Sequence, residues 1–308
     1  MKRNRPQKTD LRQLPTEQIL SSASNLDQMS TLEVVRLIND QDATVPAAVQ
    51  RALPQIARAV DCVAAGLRHG GRLIYVGAGT SGRLGALDAS EIPPTFNVSP
   101  RAVQYIMAGG NRALGASTEA SEDDAALAVQ EIKKRKPAKH DVVLGIASSG
   151  RTPFTIAALA YARGRGAYTI ALTCNRNSPL ERVCHLTIVT EVGPEVLAGS
   201  SRMKAGTAHK MVLNMISTGA MTRLGYVYGN LMVNVWTKNE KLAQRAIRII
   251  EQATGADHDT AARALKDSGN RTPVAVVMLA AGVSRSRAAA ALKQSRGHVR
   301  RAIESLRS

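Results

Sequence analysis

The chain contains 308 residues, of which 44% are hydrophobic and 3% aromatic, and its formal net charge is +17. This apolar content is enough for an aliphatic, alanine-rich core, and it excludes a chain that is disordered throughout. The three cysteines exclude a disulfide framework, and the uncharged stretches are too short to span a bilayer, so we expect a soluble, cytoplasmic protein without a membrane partner.

The positive charge is spread along the sequence rather than concentrated in one block. Residues 241–308 hold 13 Lys and Arg against 5 Asp and Glu, but these charges are distributed over helical patterns. Only two Phe, six Tyr and one Trp are present to stack on bases. We therefore expect no nucleic-acid partner, and the charge is compatible with an anionic substrate.

The spacing of apolar residues divides the chain into three parts. Residues 1–55 form a polar arm followed by helical patterns, the first of which is predicted to be capped by Thr31. Residues 56–238 alternate short apolar runs with alanine-rich helical patterns. Residues 239–308 are predicted to be helical, and they resemble a small bundle.

The central part contains short apolar runs that are predicted to be β-strands: Arg72–Gly77, Val103–Met107, Asp141–Ala147, Tyr168–Thr173 and Leu186–Thr190. Helical patterns at 115–134, 153–163 and 177–182 lie between most of them. This alternation predicts an α/β fold, a doubly wound parallel sheet with helices on both faces. Ligands of such folds bind at the carboxyl ends of the strands, so the loops that follow the strands are the candidate site.

Two of these loops are rich in small and hydroxyl-bearing residues. The first, 77–83, contains Gly79, Thr80 and Ser81, and the second, 147–153, contains Ser148, Ser149 and Thr152. Backbone amides and hydroxyls at the start of a helix bind anions, so the pair predicts a pocket for a phosphate monoester built without a metal. The alternative interpretation is two unrelated tight turns, and one glycine-rich loop alone would not exclude it.

Two glutamates are candidates for acid and base chemistry. Glu91 precedes Pro93 and Pro94, which are predicted to stop the preceding helix and leave Glu91 at a rigid break. Glu122 is predicted to lie early in the following helix. Two carboxyl groups can divide proton transfers if their environments differ. The alternative is an acidic helix start and a solvated turn residue.

A fourth segment, 193–210, is polar and precedes an apolar helix. Its Arg202, Lys204 and Lys210 are candidates for meeting an anion, and the alternative is a capped helix start with ordinary surface cations. The six histidines show no metal-ligand spacing, so we expect no metal site.

Several of these segments together resemble the N-acetylmuramic acid 6-phosphate etherase family, which is built on the sugar isomerase (SIS) domain. The matching segments are Gly71–Gly85, Asp88–Phe96, Ser148–Pro153, Gly193–Glu195, Arg202–Ala208 and Tyr228–Met232. The resemblance runs from about residue 10 to 250. The C-terminal helices resemble the ubiquitin-associated-like (UBA-like) bundle found at the end of many members.

The resemblance implies cleavage of the D-lactyl ether of N-acetylmuramic acid 6-phosphate, giving N-acetylglucosamine 6-phosphate and D-lactate, in the recycling of peptidoglycan sugars. It implies elimination followed by hydration, with no cofactor. Glu91 corresponds to the family's proton donor and Glu122 to the group that removes the C2 proton. Thr80, Ser81, Ser148, Ser149 and Thr152 are expected to hold the 6-phosphate, and the family is typically a homodimer.

Two other functions remain open from the sequence. A non-catalytic sugar-phosphate-binding regulator is one, because a regulatory protein for glucokinase shares this ancestry. A DNA-binding sugar-phosphate sensor is the other, because SIS domains also occur in transcriptional regulators. Such regulators carry an N-terminal helix-turn-helix, and residues 1–55 show no convincing one.

Overall fold

The computed structural model describes residues 14–116, 121–235, 237 and 239–307. Residues 1–13 of the predicted arm and residues 117–120 of the predicted helix 115–134 lie outside this part. Three 3₁₀ turns between Pro15 and Gln28 precede the first helices, which are α1 (Thr31–Asp42), α2 (Val45–Arg51) and α3 (Leu53–Arg68). The cap of α1 is Ser30 rather than Thr31, because Ser30 and Glu33 form a reciprocal capping box.

The centre of the molecule is a parallel sheet of five strands in the order β2-β1-β3-β4-β5. The strands and the helices that connect and cover them are β1 (Leu73–Gly77), α4 (Gly79–Phe96), β2 (Val103–Met107), α5 (Ala125–Arg135), β3 (Val142–Ile146), α6 (Pro153–Gly164), β4 (Tyr168–Thr173), β5 (Leu186–Val189) and α7 (Lys204–Arg223). The predicted α/β fold is confirmed, and the predicted strand ends differ from the observed ones by one residue at most.

Helices cover both faces of the sheet, as a doubly wound fold requires. Alternate residues of β1 show this: Leu73 and Tyr75 belong to the apolar cluster that includes α3 and α7, while Ile74 and Val76 belong to the cluster that includes α5 and α6. Successive side chains of a strand point to opposite faces, so a strand covered on both sides must be apolar at every position.

The C-terminal region is helical, as predicted. It consists of α8 (Glu240–Thr254), α9 (His258–Asp267), α10 (Thr272–Ala281), α11 (Arg285–Gln294) and α12 (Val299–Arg307). These helices share an apolar cluster of their own, which also includes Val233 and Val235. Among the described residues, no single helix is long and apolar enough to cross a membrane; α10 and α11, bent by 108° from each other, meet that test of length and composition only as a pair.

The prediction that Pro93 and Pro94 stop a helix is wrong, because α4 continues through both residues to Phe96. Ile92 and Phe96 are each only 4% exposed and pack into the core on either side of the prolines. The hydroxyl of Thr95 donates to the carbonyl of Glu91 at 2.7 Å within this distorted segment. Tertiary packing therefore outweighs the local preference of proline, which costs about 3 kcal/mol inside a helix.

Two predicted helices are shorter than expected. A helix was predicted over 115–134, but α5 begins only at Ala125. The carboxylate of Asp124 accepts the backbone N–H of Leu127 at 2.8 Å and caps the helix there. Glu122 therefore lies in the turn before α5 and not inside the helix. The pattern at 177–182 is a 3₁₀ turn over Pro179–Val183.

Candidate active site

The two predicted loops leave neighbouring strands at the same edge of the sheet. Gly77 at the end of β1 is paired with Ile146 at the end of β3, so the loops that follow them start side by side. Because parallel strands place their carboxyl ends together, the sheet topology creates a single site from segments that are 70 residues apart in sequence.

The first loop turns directly into α4. Gly79 has a φ of 52°, in the left-handed region that favours glycine, and it begins the helix. Within the described part of the chain, the backbone N–H groups of Thr80 and Ser81 donate to no protein group. These amides and the helix dipole direct positive potential outward from the loop. Thr80 is half-buried and Ser81 is 8% exposed.

The second loop is held rigidly by its neighbours. The carbonyl of Ser148 accepts the backbone N–H of Cys174 at 3.0 Å and the side-chain amide of Asn175 at 3.0 Å. Gly150 has a φ of 68°, and a Cβ there would overlap Ser178, so only glycine fits. The hydroxyl of Ser149 accepts the backbone N–H of Arg151 at 3.2 Å. These contacts hold the loop in a defined conformation.

Arg151 belongs to this loop and was not singled out from the sequence. Its Nε is buried, and among the described residues no acceptor faces it. A buried guanidinium nitrogen without a partner is costly unless a ligand supplies the acceptor. The small and hydroxyl-bearing residues of this loop indicate a binding site in the sequence. An arginine does not, because the chain contains many cationic residues.

Glu122 is attached to the second loop. The Thr152 hydroxyl donates to Glu122 Oε1 at 2.8 Å, and the backbone N–H of Phe154 donates to the Glu122 carbonyl at 3.1 Å. Thr152 itself is 7% exposed, while Glu122 is exposed at the mouth of the loop. The structure therefore brings together Glu122 and the predicted phosphate-binding residues, and it gives Thr152 a carboxylate as its partner.

Glu91 lies elsewhere in the same chain. It is 12 residues beyond Gly79 in one continuous helix, which separates the two Cα atoms by about 18 Å at 1.5 Å per residue. The two residues before it, Ala89 and Ser90, line a cleft that runs along β2 from Val103 to Met107. Glu91 is exposed there. One chain does not bring the two predicted glutamates to one pocket.

Asp88 is a buried carboxyl whose structural importance the sequence did not reveal. It is 4% exposed and accepts the Tyr75 hydroxyl at 2.7 Å, the Asn214 amide at 3.0 Å and the Ser217 hydroxyl at 3.1 Å. Burial raises the pKa of this carboxyl, although the three donors partly offset the effect. Asp88 thereby ties α4 to β1 and α7, one turn before Glu91.

The segment 193–210 forms the start of α7. Glu195 is fully buried and accepts the backbone N–H groups of Lys204 at 2.9 Å and Ala205 at 3.0 Å. The Lys204 ammonium donates to the Gln41 side chain at 2.9 Å, and burial lowers its pKa. These contacts favour the capped helix start over an anion site for Lys204. Arg202 and Lys210 are exposed.

The fold and the two loops are those of the SIS-domain class of sugar-phosphate proteins. Residues 126–218 match the SIS domain family, and residues 55–163 match the glucokinase regulatory protein N-terminal SIS domain.

Several bacterial proteins are similar to this chain over most of their length. The N-acetylmuramic acid 6-phosphate etherase of Symbiobacterium thermophilum is 55% identical over 89% of this chain and 91% of the relative. The etherase of Pectobacterium atrosepticum is 51% identical over 90% of this chain and 92% of the relative, and that of Aeromonas hydrophila 48% over 94% and 97%. The chain belongs to the N-acetylmuramic acid 6-phosphate etherase family, so the resemblance found in the sequence is confirmed.

Proposed function

We propose that the protein cleaves the D-lactyl ether of N-acetylmuramic acid 6-phosphate, releasing D-lactate and N-acetylglucosamine 6-phosphate. The observation that supports this proposal is the hydrogen bond between the Thr152 hydroxyl and the Glu122 carboxylate, in a member of this family, at the loop that we propose binds the phosphate. The reaction serves the recycling of peptidoglycan sugars, and we assign it to the cytoplasm, where phosphorylated sugars are retained.

The phosphate is bound at the carboxyl edge of the sheet. The backbone amides at the start of α4 and the hydroxyls of Thr80, Ser81, Ser148 and Ser149 surround it, with Gly79 allowing close approach. Arg151 supplies a compensating positive charge from the second loop. This binding needs no metal and no organic cofactor, because amides, hydroxyls and one guanidinium supply the donors.

Glu122 begins the chemistry. When the sugar ring opens, the C1 aldehyde makes the C2 proton acidic, and Glu122 removes it. The electron pair on C2 then forms the C2–C3 double bond, and the C3–O bond breaks with its electron pair on the lactyl oxygen. Thr152 holds the carboxylate of Glu122 in place for this step and is a positioning residue.

Glu91 completes the reaction in this scheme. As a carboxylic acid it protonates the departing lactyl oxygen, and as the resulting carboxylate it deprotonates the water that adds at C3. C2 regains its proton from Glu122, so both glutamates return to their starting states. One hexose phosphate cannot span the distance along α4 from its phosphate loop to Glu91 of the same chain.

The geometry therefore supports a homodimer in which Glu91 of one chain serves the pocket of the other. Glu91 is exposed near the end of α4, away from its own pocket, and is free to face a second copy.

An assay of D-lactate release from N-acetylmuramic acid 6-phosphate tests this function. We expect lactate from the wild-type protein and from E304Q, whose glutamate is exposed on α12, and almost none from E122Q or E91Q. If the folded wild-type protein binds the sugar phosphate but releases no lactate, the etherase proposal is wrong and a sugar-phosphate-binding regulator takes its place.

A further inference from the structure

A second cleft lies at the opposite edge of the sheet from the candidate active site. It has a volume of about 1030 Å³ and is lined by residues that precede β1 and β2, by the end of α7 and by the C-terminal bundle. Each strand of five residues separates the two edges by about 13 Å at 3.3 Å per residue. This cleft is therefore separate from the sugar-phosphate pocket of the same chain.

The lining of the cleft is strongly cationic. Its charged members are Arg68, Arg72, Arg101, Arg296, Arg301 and the titratable His298, and within the described part of the chain no Asp or Glu lines it. Arg72 is paired with Asp141, which lies outside the cleft. Among the described residues, Arg68, Arg101, Arg296 and Arg301 have no carboxylate within 4.0 Å.

These cations come from two parts of the protein, the sheet with its covering helices and the C-terminal bundle. Arg68 and Arg101 belong to the sheet and its helices, whereas Arg296 and Arg301 belong to the bundle. The two parts meet at Gly225, whose φ is 87° and where a Cβ would overlap the ring of His298. Arg296 adopts a φ of 51°, a region where glycine or asparagine is usual, so the chain holds an arginine at the cleft at a conformational cost.

The pKa of His298 reflects the positive charge around the cleft. Its pKa is lowered, first by desolvation and then by the positive charges of Arg301 and Arg68. The exposed guanidinium groups around the cleft concentrate positive potential, which attracts anions. An uncompensated set of guanidinium groups is the usual arrangement for recognising phosphate, which guanidinium binds through two parallel hydrogen bonds.

Apolar side chains also contribute to the cleft. Leu67, Val98, Met221 and Leu224 line it, and Tyr226 offers a ring that is only half-buried. The volume exceeds what a single inorganic phosphate fills and suits a drug-sized ligand. The cleft thus combines several guanidinium groups with apolar side chains.

We propose that this cleft binds a small molecule that carries two phosphoryl groups and an apolar or aromatic portion, of the nucleoside diphosphate type. The phosphoryl groups join Arg68 and Arg101 on one side to Arg296 and Arg301 on the other, and the remaining portion rests against Tyr226 and Met221. Such a ligand bridges the sheet and the bundle, and it therefore stabilises their contact.

Titration calorimetry of the full-length protein with ADP, without divalent cations, tests the proposal. The variant R296N/R301Q removes two cleft charges, and asparagine suits the left-handed backbone at 296. The control R248Q/R287Q removes two exposed arginines from the bundle outside the cleft. We expect ADP to bind the wild type, with affinity at least tenfold lower in R296N/R301Q and within twofold of wild type in the control.

Further probes separate the possible sources of binding. Inorganic phosphate is expected to bind at least tenfold more weakly than ADP, and S149A, altered in the sugar-phosphate pocket, is expected to bind ADP normally. The proposal is overturned if ADP does not bind at 1 mM, if R296N/R301Q binds it like the wild type, or if S149A loses it.

Binding of a 20-base-pair DNA duplex that R296N/R301Q abolishes, without ADP binding, would assign the cleft to nucleic acid instead. A circular-dichroism spectrum and a urea unfolding midpoint like those of the wild type show that R296N/R301Q is folded, and this control is independent of the proposed etherase activity.

Discussion

The hydroxyl of Thr152 donates a hydrogen bond of 2.8 Å to the carboxylate of Glu122, across 30 residues of sequence. Both residues were candidates from the sequence, one for phosphate binding and one for proton transfer. The structure joins them, so a change at Thr152 acts on the proposed base as well as on the loop. We therefore expect replacement of Thr152 to affect kcat and replacement of Ser149 to affect KM.

Replacing Thr152 by valine should lower kcat about tenfold or more, because an oriented base contributes about 10²–10⁴-fold to catalysis and loses part of that when its partner is removed. T152S keeps the hydroxyl and should recover most of the wild-type kcat. Steady-state kinetics of D-lactate release measures both. A rise in KM with unchanged kcat in T152V would show that Thr152 binds phosphate and does not position Glu122.

Replacing Ser149 by alanine should have the opposite kinetic signature. Its hydroxyl is proposed to bind the 6-phosphate, which is held alike in the ground state and in the transition state, so KM should rise several-fold while kcat changes little. The same kinetic assay, run beside T152V, provides the comparison. A large fall in kcat with normal KM in S149A would show that Ser149 does not bind the phosphate.

Mixing two inactive variants should restore activity if Glu91 acts in the partner's pocket. In a random mixture of E91Q and E122Q chains, half the dimers are mixed, and each mixed dimer has one pocket with both glutamates, which predicts about a quarter of wild-type activity. The measurement is D-lactate release after unfolding and refolding the chains together.

Refolding each variant alone provides the control for that mixture. Either variant by itself should stay inactive under the same treatment, and refolded wild type sets the scale. If the mixture is as inactive as its components while the wild type recovers, both glutamates act from one chain or Glu91 has no part in the reaction.

The buried His209 should make the protein sensitive to mild acid. His209 is fully buried, and desolvation lowers its pKa to about 4. In the unfolded chain histidine binds a proton below about 6.5, so the unfolded state holds more protons in that interval and the free energy of unfolding falls as pH decreases. Between pH 7.5 and pH 4.5 the loss from this group is about 2–3 kcal/mol.

Urea unfolding at several pH values measures this effect. H209Q should lose less stability than the wild type on going from pH 7.5 to pH 4.5, by about that same amount, whereas H140Q, altered at an exposed histidine, should follow the wild type. Parallel curves for the wild type and H209Q would show that His209 is not the group responsible.

Much of the fold was predictable because its signals are local. Short uninterrupted apolar runs such as Leu73–Gly77 indicate strands covered on both faces, and the helical patterns between them favour parallel pairing, as observed. The hydroxyl-rich loops were recognisable for the same reason, since their residue types and their places after strands are written in contiguous sequence. The start of α5 was misplaced because the capping carboxylate of Asp124 competes with an earlier helical pattern.

The sequence by itself determined the fold class, the positions of the two hydroxyl-rich loops and the family to which the chain belongs. The tertiary structure alone decided that α4 passes through Pro93 and Pro94, that Glu122 meets Thr152, and that Glu91 lies far from both. It alone also assembled the arginine-lined cleft from Arg68, Arg101 and the distant bundle. Each of these depends on packing between segments far apart in sequence, where burial of residues such as Phe96 outweighs local preference.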